Sequence, residues 1–100
     1  MRSLREDIQF LARRYGLRQG VEAAAVLKAA RQVLPQVLPR LVQEEARVEA
    51  YRDGTLFITA PSGPAVATVF GYRQPLLQAL KIKLGRAMVA KVVVRPRLAA

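Results

Sequence analysis

The sequence predicts an α+β domain in which a three-stranded sheet is covered by helices, with extra helices at the N-terminus. Three observations predict it. Two alternating apolar–polar runs, ARVEAYR and TLFITA, are joined by Asp53-Gly54, a β-branched run, VAKVVVR, comes near the end of the chain, and segments of helical periodicity fill the remaining stretches. One hundred residues is the size of one domain, residues 1–100. Within it we distinguish a helical part, 1–45, from a β-β-α-α-β unit, 46–97.

In chain order, residues 3–15 place Leu4, Ile8, Leu11 and Tyr15 on one helical face. Ser3 with Glu6 forms a capping box, and Gly16 supplies a C-terminal cap. A second helix is expected from about Gln19 to Leu34, its turns marked by Val21, Ala24, Ala25, Lys28 and the Val33–Leu34 pair. Pro35 and Pro39 should stop or kink it near Leu34, because each removes a backbone donor and restricts the preceding residue. The first strand alternates Ala46, Val48 and Ala50 with Arg47, Glu49 and Tyr51. The second alternates Leu56, Ile58 and Ala60 with Phe57 and Thr59. Asp53-Gly54 is a two-residue hairpin turn whose central positions both need positive φ. Ser62 caps a helix running through Pro64 to Phe70, where proline is tolerated in the first turn. A further helix starts around Pro75 and ends near Leu84 with Gly85 as its cap, turning Leu77, Leu80 and Leu84 to the core. Pro96 ends the last strand.

Charge is the most informative part of the composition. The chain carries +10, with seventeen basic and seven acidic residues, and every acid lies at or before Asp53. Residues 54–100 hold Arg73, Lys81, Lys83, Arg86, Lys91, Arg95 and Arg97 with no carboxylate. Charge of one sign implies a polyanionic partner, against the blander reading of a solvated surface. No apolar run approaches the roughly 20 residues that span a bilayer, and the first residues lack the apolar core of a secretory signal. A cytoplasmic location with no membrane partner is the expectation.

The residues leave little room for catalysis. Cysteine and histidine are absent, so thiolate chemistry, imidazole acid–base chemistry and the usual transition-metal ligands are missing together. Glu6-Asp7 and Glu44-Glu45 are the adjacent acid pairs; the first sits where it favours a helix dipole, the second among arginines. Neither glycine-rich phosphate-loop pattern occurs. We therefore expect no enzyme, cofactor, metal or small-molecule substrate. The junction Gly71-Tyr72-Arg73-Gln74 places a glycine, an aromatic and an arginine between two helices, where helix N–H groups can meet a phosphate. The competing reading is that Gly71 only turns the chain while Tyr72 packs on the core.

The order helix, strand, strand, helix, helix, strand resembles a type II KH-like domain, a fold that clamps a nucleic-acid backbone with a GxxG loop between its helices. Here Gln74 stands where the second glycine would be. More narrowly, DGTLFITAPSGPAVATVF followed by PLLQALKIKLG and VVVRPR is similar to the DciA family, the bacterial replicative-helicase loaders and operators, over about Leu34 to Arg97. Leu34-Pro35 and Leu38-Pro39 replace the Trp-Pro and Val-Gly pairs common in that family, and many members continue into a flexible tail.

The resemblance and the charge together imply a nucleic-acid-binding module, on single-stranded DNA, that helps a DnaB-type helicase onto its template. Phosphate contacts would come from Lys81, Lys83, Arg86, Lys91, Arg95 and Arg97, and stacking from Tyr72 with Arg73. Two alternatives stay open: an RNA-binding KH-like protein acting on ribosomal or structured RNA, and an adaptor that binds a protein partner while its charge is incidental.

Overall fold

A computed structural model of the protein describes the backbone of residues 4–97 and the side chains of residues 20–97. Among the described residues the elements are α1 (Leu4–Val37), α2 (Arg40–Gln43), β1 (Arg47–Arg52), β2 (Thr55–Ala60), α3 (Gly63–Gly71), α4 (Arg73–Leu84) and β3 (Lys91–Pro96). The strands form one mixed sheet in the order β1-β2-β3, with β2 antiparallel to β1 and parallel to β3. The fold is thus α+β, a three-stranded mixed sheet packed against helices and preceded by an N-terminal helix, consistent with the KH-like arrangement.

The helical part differs from the expectation. Instead of two helices separated at Gly16 and broken at Pro35, α1 runs unbroken from Leu4 to Val37. A glycine inside a helix costs only about 0.5–1 kcal/mol relative to alanine, and the surrounding Leu, Arg, Gln, Glu and Ala residues favour the helix enough to carry it through. Ser3 of the expected capping box lies outside the described residues, as do the side chains of Leu4, Ile8, Leu11 and Tyr15. Pro35 sits in the last turn, and Leu38 N–H still donates to the Leu34 carbonyl at 2.9 Å. Leu34 and Leu38, buried on either side of that proline, hold the turn against the core. Pro39, with φ −56° and ψ 149°, ends the run and precedes α2. The inward face is also rotated: Val26, Ala29, Ala30, Val33 and Leu34 are buried, whereas Val21, Ala24 and Ala25 are exposed.

The hairpin forms as its turn residues demand, with Asp53 at φ 48° and Gly54 at φ 77°. In β1, however, the alternation does not run through. Val48 pairs with Ile58 and Ala50 with Phe57, so Glu49 is an extra residue in a β-bulge. Beyond it Tyr51 pairs with Leu56 and turns to the core side, where its hydroxyl donates to the Met88 carbonyl at 2.5 Å. Ala50 goes to the other side. A strict two-residue period would have done the reverse.

Leu56, Ile58 and Ala60 of β2 have no accessible surface and form the centre of a continuous cluster with Val26, Val69, Leu76 and Leu80. Burying a leucine or isoleucine fully is worth about 1.5–3 kcal/mol, so this alternation fixes which face of the sheet receives the helices. Ser62 caps α3 by accepting from Ala65 N–H at 3.3 Å, and Gly85 at φ 76° ends α4 in the left-handed conformation. The Gly54 carbonyl accepts from both Ala90 N–H (2.7 Å) and Lys91 N–H (3.2 Å), tying the start of β3 to the hairpin turn. Pro96 closes β3 on the sheet edge, where a missing N–H is tolerated. No described helix is long and apolar enough to cross a membrane.

Candidate nucleic-acid interface

The eight basic and aromatic residues singled out in the sequence fall into three places. The first is the junction of α3 and α4. Gly71 belongs to α3 and Arg73 to α4, so Tyr72 alone separates them. Its N–H donates to the Val69 carbonyl and its carbonyl accepts from Leu76 N–H, both at 3.0 Å, while its side chain packs against the core. The Arg73 guanidinium lies 4.1 Å from the centre of the Phe70 ring and donates to the Phe70 carbonyl at 3.0 Å. Both contacts hold it on the end of α3.

The second place is the end of α4. Lys81 and Lys83 are exposed in its last turn, where cations complement the helix dipole. Arg86, just beyond the Gly85 cap, stands 3.6 Å from a Glu22 carboxylate oxygen. Its side chain is 64% exposed, and a pair of this kind contributes about 0–1 kcal/mol.

The third place is the face of the sheet turned away from the helices. Lys91 pairs with Thr55 and Arg95 with Thr59, whose neighbours Leu56 and Ile58 point the other way into the core. Across β2, Arg52 also pairs with Thr55 and Arg47 with Thr59. Between these two rows, Phe57 lies flanked by Ala50 and Val93. Arg97 extends the same side, its guanidinium 3.5 Å from the Thr59 hydroxyl. The Arg95 guanidinium stands 5.3 Å from the Phe57 ring centre. The carboxylate on this face is Glu49 of the bulge, which accepts from the Thr59 hydroxyl at 2.8 Å.

The structure thus joins Lys91, Arg95 and Arg97 on one face, and leaves Lys81, Lys83 and Arg86 on the helical layer at the other side of the sheet. Arg47, Arg52 and Phe57 were missed in the sequence as members of a site. The signal for Phe57 was present: a large aromatic at an outward position of TLFITA. Arg47 and Arg52 join only through the strand pairing.

The chain is similar, over residues 7–94, to the family model described as Dna[CI] antecedent, DciA. No curated protein matches it.

Proposed function

The chain belongs to the DciA family, whose role relates to loading of the DnaB replicative helicase rather than to catalysis, and from that premise we propose that it binds single-stranded DNA and so helps set the helicase on its template. The observation that carries this reading is the state of the cations after Asp53. Among the described residues, Arg86 is the one in this half with a carboxylate within 4 Å, and Lys81, Lys83, Lys91 and Arg95 stand exposed without one. Positive charge that is neither buried nor neutralised is available to phosphates, and the gain comes from counterion release. Among the described residues the exposed large apolar side chains are Val21, Leu41, Phe70 and Ile82, one on each of the four helices, and exposed apolar residues are ordinary on a protein surface. They give the adaptor reading no particular support.

The test is equilibrium binding of the full chain to a labelled single-stranded oligonucleotide at several salt concentrations. Neutralising about three phosphates on a single strand gives a slope of log affinity against log salt near −2. Affinity independent of salt would refute the proposal, and a tenfold preference for RNA of the same length would move the protein to an RNA target. Retention of the helicase in a pull-down after nuclease treatment, expected if the two proteins touch directly, separates a direct contact from bridging by DNA.

A further inference from the structure

The open face of the sheet has an aromatic at its centre and cations at both ends. Phe57 occupies the middle of the central strand and is only half-buried. Tyr51 and Val94, on the covered side, pack against the core, and Phe57 is not among the residues that do. Consecutive rows on one side of a strand lie about 7 Å apart. The backbone positions of Arg52 and Lys91 therefore lie about 7 Å along the strand to one side of Phe57, and those of Arg47 and Arg95 about 7 Å to the other.

We propose that this face is a stacking platform for single-stranded nucleic acid: an unpaired base lies on the Phe57 ring, and the phosphates on either side of it meet the cation rows. The proposal rests on the nucleic-acid reading above and specifies the surface and the class of ligand. Stacking needs a base whose π face is free, which single strands offer and duplexes do not. The Arg95 guanidinium, 5.3 Å from the centre of the Phe57 ring, supplies a planar cation beside the bound base. An acidic protein surface would satisfy the cations and leave the ring unused. The helical junction is a weaker platform, since Tyr72 packs on the core and Arg73 is held by Phe70.

The chain has no tryptophan, so Phe57→Trp in this chain installs a single fluorescent reporter. Addition of oligo(dT) should quench it with the saturation curve seen by fluorescence anisotropy of the labelled strand, and a blunt duplex of equal length should not. Tyr72→Trp, the matching reporter at the helical junction, should stay unquenched. Phe57→Ala should weaken binding roughly 5- to 150-fold, the loss expected for one base–aromatic stack, with the salt slope unchanged. Circular dichroism of each variant checks the fold. If the parent chain binds with a steep salt slope while Phe57→Ala binds equally well, or Tyr72→Trp is quenched and Phe57→Trp is not, the platform is refuted and DNA binding stands. If the parent chain binds no strand at low salt, both fall.

Discussion

Replacing Tyr51 by phenylalanine tests the bulge that sorts residues between the two faces of the sheet. The hydroxyl donates to the Met88 carbonyl at 2.5 Å from a partly buried position. Its removal deletes one hydrogen bond across 37 positions of sequence, worth about 0.5–1.5 kcal/mol net. In a domain of this size 1 kcal/mol lowers Tm by about 4–8 °C. On a regular strand the same phenol would face water on the open side, and a surface change of that kind stays near zero. Deleting Glu49 gives the complementary measurement. Because Glu49 is the unpaired residue, its loss leaves Val48 opposite Ile58, Ala50 opposite Phe57 and Tyr51 opposite Leu56, so the core pairing survives. The cost should be limited to the exposed Thr59 contact, a few tenths of a kcal/mol. Thermal melts followed by far-ultraviolet circular dichroism, checked by urea titration, measure both. An unchanged Tm for Tyr51→Phe, or a cost of several kcal/mol for the Glu49 deletion because a core residue has been turned outward, would refute the bulge at Glu49 as the feature that turns Tyr51 inward.

Two glycines separate backbone need from site geometry. Gly54→Ala should destabilise by about 1–2 kcal/mol in urea, because φ is 77° while the added Cβ meets the Ala90 Cβ at 3.7 Å and its backbone nitrogen at 4.0 Å, both ordinary contacts. Gly71→Ala meets nothing within 4 Å at a helical φ, so it should be neutral or stabilise by up to about 1 kcal/mol. Its affinity for single-stranded DNA should equal that of the parent, and a large loss would place a phosphate at the α3–α4 junction.

Features decided by neighbours in sequence were readable from it. Asp53-Gly54, the Ser62 cap, Pro75 near the start of α4 and the Gly85 cap all appear where their backbone chemistry puts them. In α1 the continuation through Gly16 rests on helix-favouring neighbours around an inexpensive glycine, which the sequence does contain, whereas the passage through Pro35 was not readable, because it rests on the burial of Leu34 and Leu38, and burial is a tertiary quantity. The bulge escaped for a related reason. Both Ala50 and Tyr51 can face inward, and the choice is made by Leu56 and Met88, which lie later in the chain. At the candidate site the outward position of Phe57 was legible in TLFITA, but its company was not. Arg47 and Arg52 meet Arg95 and Lys91 only because β3 lies parallel to β2 on the edge opposite β1.

That pairing changes what the charge distribution means. Along the chain the first 53 residues have a net charge of only +3, ten bases against seven acids, and look nearly balanced beside the +7 that follows. In space, two bases from the balanced half join three from the acid-free half on one face, where Glu49 is the opposing carboxylate. The number of cations that meet phosphate is measurable. If only Lys91, Arg95 and Arg97 bind, the salt slope on a single strand is about −2; if Arg47 and Arg52 take part as well, five contacts give about −3.5. Arg47→Gln and Arg52→Gln should then each flatten the slope by about 0.7, as Lys91→Gln does. A slope near −2 that neither arginine variant alters would confine binding to β3 and leave each cation row beside Phe57 with its β3 member alone.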